Sequence, residues 1–284
     1  MKIALLGSAG MLGSKALEVF KQSGHELLTP FRTHLDLSRG DQIESYFKNN
    51  SFDVLVNCTG YTKVDACEEK ENMPAAQDVN GTAVGRLAHS CKTSGRILVH
   101  FSTDYVFDGT KPEPYQETDK TNPVNVYGQT KLEGEKLLQA ESPFFYLIRT
   151  SWVFGPGGPN FVKTIVGLLK TKSKIEVVTD LVGGPTYTGD LANFTLELLD
   201  LKAESGLYHF ANDGYTSWNG FAQEIKVLTG FSCEVAPTLS EKFVRPAKRP
   251  SNSRFDLSKA SHAVGHRPRP WQESLKDYLI KELK

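Results

Sequence analysis

The first thirteen residues limit what this chain can fold into more than any other stretch. Residues 2–6, Lys-Ile-Ala-Leu-Leu, are a short apolar run of the kind that fills a buried parallel strand. Gly7-Ser8-Ala9-Gly10-Met11-Leu12-Gly13 follows in the pattern G-x-x-G-x-x-G. Met11, Leu12, Ala16, Leu17 and Phe20 then recur at helical spacing to about Ser23; Gly24 ends the helix and residues 25–28 begin a second strand. Gly7 suits the tight turn, Gly10 lets the backbone approach a pyrophosphate, and Gly13 lets the helix pack close to the strand. The helix N-terminus offers that pyrophosphate unpaired N–H groups and the positive end of a dipole. The spacing differs by one residue from the commoner G-x-G-x-x-G fingerprint. A secretory leader is the competing reading. Gly7 and Ser8 interrupt the apolar run, and an amphipathic helix carrying Lys15, Glu18 and Lys21 follows at once, which argues against it.

The alternation continues. Residues 53–58 read as a strand ending at Thr59-Gly60, and 74–93 as a helix opened by Pro74 and closed by Gly95. A strand at 96–101 carries Ser102-Thr103-Asp104 at its carboxyl end; a helix at 126–140 and a strand at 144–150 follow. Strands alternating with helices imply an α/β protein with a Rossmann-type, doubly wound parallel sheet, whose ligands bind beyond the carboxyl ends of the strands. The glycine turn, Thr59-Gly60, Thr103 and Trp152 all fall at such ends, so one crevice is expected. Beyond residue 150 the pattern loosens. A loop at 155–159, a helix at 160–171, a short strand at 175–178, a turn-rich segment at 180–188, a helix at 218–229, an irregular basic loop at 242–254 and a terminal helix at 271–283 are expected. They suggest a dinucleotide-binding domain over 1–150. Residues 151–284 would mainly form a small substrate-binding lobe, with segments returning to the main sheet.

Within that crevice, Tyr127 and Lys131 share one helix face with Cβ atoms about 5–6 Å apart. A phenol, with a pKa of about 10, is a poor acid–base group at neutral pH. An ammonium one turn away favours the phenolate, and the Thr103 hydroxyl can hold a substrate oxygen against it. This equipment moves a proton to or from a carbonyl oxygen while a hydride moves. Tyr127 is the only one of the ten tyrosines with a lysine four residues later. Alone, the pair reads more readily as a core tyrosine beside a solvated lysine; the N-terminal motif is what favours the catalytic reading.

Charges balance at 33 basic against 33 acidic residues, so nothing argues for nucleic acid or an acidic tail. No run reaches the roughly 18 apolar residues of a membrane span. The four cysteines form no C-x-x-C pair, so neither a disulfide framework nor a zinc site is expected, and free thiols suit a reducing, cytoplasmic setting.

Taken together, these residues resemble the extended short-chain dehydrogenase/reductases and, more narrowly, the dTDP-4-dehydrorhamnose reductase family. The resemblance covers nearly the whole chain in order. It runs through the glycine turn, Tyr61-Thr62-Lys63-Val64-Asp65, Asn80, Ser102-Thr103-Asp104-Tyr105-Val106-Phe107 and Asn125-Val126-Tyr127-Gly128-Gln129-Thr130-Lys131. It continues through Arg149-Thr150-Ser151-Trp152, Asn160-Phe161, Gly184-Pro185-Thr186 and Arg249-Pro250-Ser251-Asn252-Ser253-Arg254. The glycine and tyrosine motifs specify only the superfamily; the Arg-Thr-Ser-Trp and Arg-Pro-x-Asn-Ser segments narrow it.

The resemblance implies NADPH-dependent reduction of a nucleotide-linked 4-keto sugar, dTDP-4-dehydro-L-rhamnose, for cell-surface polysaccharide synthesis. It implies Thr103, Tyr127 and Lys131 as the catalytic set, with Lys131 also on the nicotinamide ribose. Gly7, Gly10, Met11, Leu12 and Gly13 would lie along the cofactor, with Asp36 and Leu37 near the adenine and Tyr61 and Thr62 near the ribose and phosphates. Asp104, Tyr105 and Trp152 would line the sugar pocket, and Arg249 would meet the nucleotide diphosphate. A solvated surface is the alternative reading of the basic loop that carries Arg249. Arg32, past the second strand, suits the 2′-phosphate of NADPH and reads equally as a surface residue; NADPH is favoured, with NADH tolerated. Related dehydratases carry Asp-Glu after the hydroxyl residue, where this chain has Asp104-Tyr105, so reduction is expected over dehydration. Leu181 stands where the family has a polar Gln. Lys15 stands where some members have an acid that helps hold a cation at a dimer interface, so no metal and a monomer or weak homodimer are expected. Two other readings stay open: a 4-ketoreductase for another deoxysugar nucleotide, and a non-catalytic nucleotide-binding regulatory subunit.

Overall fold

The computed structural model describes residues 1–141 and 143–281. Its centre is a six-stranded, wholly parallel sheet. In chain order the first elements are β1 (Lys2–Leu6), α1 (Met11–Gln22), β2 (Glu26–Leu28), α2 (Gly40–Asn49) and β3 (Val54–Asn57). Then come α3 (Met73–Gln77), a π turn (Asp78–Thr82), α4 (Ala83–Ser94), β4 (Ile97–Thr103), α5 (Val126–Glu141) and β5 (Phe145–Thr150). The helix expected over 74–93 is thus α3 and α4 joined through the π turn. The remaining elements are β6 (Val153–Phe154), α6 (Phe161–Thr171), β7 (Lys174–Val178), β8 (Val182–Gly183), β9 (Thr186–Tyr187), α7 (Thr188–Asp200) and β10 (Gly206–Phe210). They close with β11 (Thr216–Ser217), α8 (Trp218–Thr229), β12 (Glu234–Thr238), β13 (Asn252–Ser253), α9 (Ser258–Val264) and α10 (Trp271–Lys281). Position 283, expected in the last helix, lies outside the described residues.

The strand order is β10-β5-β4-β3-β1-β2, the doubly wound arrangement expected from the alternation. Because both faces are covered, the central strands are apolar throughout: Ile3, Leu5, Val54, Val56, Val99 and Ile148 face α1 and α7, while Ala4, Leu55, Leu98 and Leu147 face α2, α4 and α5. The chain changes direction between β1 and its neighbours β2 and β3, and the glycine turn lies at that switch point, where such sheets bind ligands. β10 joins this sheet beside β5 although it lies late in sequence. A second core is built by α6, α8, α10, β7 and β12 around Phe154, Val162, Phe221, Trp271 and Tyr278.

Candidate active site

β1 ends at Leu6 and Gly7 turns the chain with φ +74°, a left-handed conformation that disfavours any Cβ. A Cβ on Gly13 would sit 2.0 Å from the Gly7 carbonyl oxygen, so α1 reaches its place against the turn only with glycine there. Gly10 caps α1 through its backbone, with no side-chain cap and no acid in the first turn. The N–H groups of Met11, Leu12 and Gly13 therefore form an uncapped helix start in a cradle without side chains, which fits a dinucleotide pyrophosphate.

The loops after β2 and β3 flank this cradle. Past β2, Arg32 is exposed, with its guanidinium 3.7 Å from Asp36. Asp36 is held below the usual carboxylate range, chiefly by hydrogen bonds from Ser38. Leu37 is buried, and its carbonyl accepts from Arg86. Past β3, Tyr61 is fixed through its backbone: its N–H donates to Asn80 Oδ1 at 2.8 Å, and Asn80 Nδ2 donates to its carbonyl at 3.0 Å. Asn80 lies in the π turn and also donates to Thr130 Oγ1 of α5, so that irregular turn ties the Tyr61 loop to the helix bearing Tyr127. Thr62 is exposed beside it.

β4 runs on through Thr103, which pairs in register with Thr150 of β5. Thr103 Oγ1 donates to Asp104 Oδ1 at 3.0 Å and accepts from the Tyr105 N–H. α5 can approach because residue 128 is glycine: a Cβ there would lie 2.1 Å from the Tyr105 carbonyl oxygen. This close approach sets the Tyr127 ring edge-on to Tyr105, with centroids 5.6 Å apart, and buries it beside Thr103. Burial pushes the Tyr127 phenol well above its ordinary range, the Asp104 charge adds to that, and Thr103 opposes it. Asp104 is itself raised to about 6, mainly by burial.

Lys131, one turn on, departs from the sequence-based expectation. Its Nζ donates to the Phe101 carbonyl at 2.6 Å and lies 3.2 Å from His100 Nε2. Burial draws its proton affinity down to about 8. The leading influence on Tyr127 is thus burial rather than a neighbouring ammonium, and the phenol is kept protonated. The approach of Lys131 to β4 is the reason: the Phe101 carbonyl and the His100 ring on that strand hold the amine that helical spacing alone would leave beside the phenol.

Trp152 follows β5 with φ +46°, a rare conformation for a large residue. Its indole stacks on Trp218 at the start of α8, with centroids 3.6 Å apart and planes 9° from parallel. Gly183 backs it; a Cβ there would lie 2.6 Å from Trp152 Cε2. Trp218 was not expected at the site, and its only sequence signal is a tryptophan directly after the capping Ser217. At Arg249 the basic loop is not the solvated surface that is one reading of it. Arg249 is only 22% exposed and grips Asp65 through two contacts, Nη1–Oδ1 2.6 Å and Nη2–Oδ2 2.9 Å. Arg254 turns away to the Pro112 carbonyl, Asn252 and the Tyr215 ring. Leu181 is half-buried next to β8. Lys15 is buried and paired with Glu18 at 2.9 Å.

A parallel sheet whose strand ends carry a glycine cradle at the switch point and the grouping of Thr103, Tyr127 and Lys131 defines a Rossmann-fold oxidoreductase of the extended short-chain dehydrogenase/reductase class. Residues 1–283 match the family described as RmlD substrate binding domain. The chain is 36% identical to the dTDP-4-dehydrorhamnose reductase of Aggregatibacter actinomycetemcomitans, over 97% of each chain. It is 34% identical to the spore coat polysaccharide biosynthesis protein SpsK of Bacillus subtilis, over 98% of this chain and 96% of that one. The chain belongs to the dTDP-4-dehydrorhamnose reductase family. Among solved structures, that of a dTDP-4-dehydrorhamnose reductase from Clostridium acetobutylicum superposes with a TM-score of 0.94 at 39% identity, covering 98% of both chains. A Bacillus anthracis dTDP-4-dehydrorhamnose reductase in complex with NADP superposes at 0.93 with 31% identity, covering 99% of both.

Proposed function

We propose that this chain uses NADPH to reduce the 4-keto group of dTDP-4-dehydro-L-rhamnose, giving dTDP-L-rhamnose for cell-surface polysaccharide synthesis. Bound along the Gly7–Gly13 cradle, NADPH supplies the hydride that goes to carbon 4. Tyr127 gives its proton to the carbonyl oxygen at that carbon, a role suited to a phenol that burial keeps protonated. Thr103 orients the ketone against Tyr127. Lys131, as the ammonium, binds the nicotinamide ribose and offsets the charge left on Tyr127. Asp104, Tyr105 and the Trp152 indole bound the sugar, and Arg249 stands at the diphosphate end. Arg32 meets the 2′-phosphate that distinguishes NADPH from NADH. Residues 1–150 serve the cofactor; 151–284 mainly serve the substrate.

The observation that carries this reading is the meeting of Thr103 and Tyr127 at the carboxyl end of β4, two strands from an uncapped glycine cradle, in a chain whose full-length relatives are named as this reductase. The protein works in the cytoplasm as a monomer or weak homodimer. Its four free cysteines suit a reducing setting, and no helix among the described residues is long and apolar enough to cross a membrane. A panel of nucleotide-linked keto sugars with NADPH tests the substrate. Turnover confined to 4-keto-6-deoxy sugars on dTDP is expected; preference for another nucleotide would reassign the substrate, and binding without any turnover would make the chain a regulatory subunit.

A further inference from the structure

Asn57 on β3 and His100 on β4 are register partners on adjacent strands, and both are buried beneath α5. Their hydrogen bonds fix which atom donates. The Thr59 backbone N–H can only donate, and it meets Asn57 Oδ1 at 3.1 Å, as does the Thr59 hydroxyl at 2.6 Å. The amide nitrogen of Asn57 is therefore the end that faces His100 Nδ1, at 3.2 Å. An amide N–H₂ has no acceptor to offer, so Nδ1 must accept and the ring hydrogen lies on Nε2. Burial and the neighbouring lysine hold His100 well below its ordinary range, which keeps the ring neutral. That Nε2–H points at Lys131 Nζ, 3.2 Å away, while Nζ donates to the Phe101 carbonyl. An ammonium has no lone pair for this N–H; a neutral amine has one.

We propose that His100, locked by Asn57 with its hydrogen on Nε2, is a positioning residue for Lys131, drawing Nζ onto β4 and disfavouring its ammonium form. The inference rests on the role given to Lys131 above and extends it: the charge that Lys131 brings to the cofactor is set from behind by a histidine that touches neither cofactor nor substrate. The surrounding charges are accounted for. Glu135, one turn further along α5, acts in the opposite sense and is gripped by Arg149 of β5. Glu68 accepts the Val126 N–H, Asp104 accepts from Thr103, and Asp78 pairs with Arg86. Tyr127 remains protonated.

The test compares wild type with His100→Met, which removes the donor, and Asn57→Asp, whose carboxylate accepts from Nδ1–H and turns the Nε2 lone pair toward Nζ. Either change favours the ammonium and extends it to higher pH. kcat/KM for the reduction is followed against pH, because its limbs report groups of the free enzyme. NADPH affinity is titrated over the same range by nicotinamide fluorescence. Both alkaline limbs should move up by about half to one pH unit in each variant, the size of one net hydrogen bond. A limb that stays in place or moves down in either folded variant overturns the proposal, even if rates fall in parallel at every pH. If His100→Met does not fold, Asn57→Asp decides by the same criterion. Absence of wild-type turnover would count against the assigned reaction instead, and the NADPH curves would still judge His100.

Discussion

Arg249 and Asp65, 184 positions apart in sequence, meet in a two-point ion pair that ties the basic loop to the loop after β3. Asp65 sits four residues after Tyr61, which Asn80 anchors to the π turn and to α5. The guanidinium proposed for the diphosphate is thus braced by a carboxylate on the loop after β3.

This pairing separates two contributions. Arg249→Ala should raise KM for the nucleotide sugar about 10- to 100-fold, as expected for hydrogen bonds to a charged group, and should leave NADPH affinity nearly unchanged. Asp65→Asn, which removes only the brace, should raise KM less, and the double variant should cost no more than Arg249→Ala alone. Separate titrations with dTDP and NADPH measure both. Unchanged dTDP affinity in Arg249→Ala would reduce the pair to a structural tie.

Tyr127→Phe removes the phenolic proton and keeps the ring edge-on to Tyr105. A loss of about 10²–10⁴-fold in kcat is expected, with NADPH binding preserved. Activity close to wild type would mean that another group supplies the proton.

Arg32 is 83% exposed and contacts only Asp36 among the ion pairs of the described residues. Arg32→Ala should raise KM for NADPH more than for NADH, since only NADPH carries the 2′-phosphate. Equal effects on the two cofactors would return Arg32 to the plain surface.

Asp108 supplies a stability prediction with a definite sign. It accepts hydrogen bonds from the Thr110 N–H, the Thr110 hydroxyl, the Tyr115 hydroxyl and Asn122, and these hold its carboxyl well below the ordinary range. A carboxyl with a depressed folded value stabilises the fold above its unfolded pKa of about 3.9, and that contribution fades as pH falls toward the folded value. Asp108→Ala should therefore lower Tm at pH 7, with the gap to wild type narrowing below about pH 4. A gap that stays constant across that range would mean that the carboxylate charge contributes nothing.

The first half of the chain is legible because its signals are local. The glycine turn, the caps and the short apolar strands each follow from a few adjacent residues, and the elements expected there differ from the observed bounds by a residue or two; α2 (Gly40–Asn49) was not expected. Both α2 and α7 carry a local apolar face, and α7 was not expected either; other parts that escaped depend on contacts distant in sequence. β10 is five residues containing Tyr208 and His209, and only pairing with β5 makes it a strand. The π turn at Asp78–Thr82 leaves no periodic signature; it exists where Asn80 must reach both Tyr61 and Thr130. The site shows the same division. Thr103, Tyr127 and Lys131 could be named from spacing, but the turn of Lys131 toward His100, the Asp65 clasp on Arg249 and the Trp152–Trp218 stack join residues from different strands, loops and helices. No local rule pairs them.

The reduction itself is tested by incubating the purified protein with NADPH and dTDP-4-dehydro-L-rhamnose, following the reduced nicotinamide absorbance, and identifying the product by chromatography and NMR. One dTDP-L-rhamnose should form for each NADPH oxidised, with no oxidation when the keto sugar is omitted. NADPH bound but never oxidised, or a product other than the 4-hydroxy sugar, would contradict the assignment of this reaction to the protein.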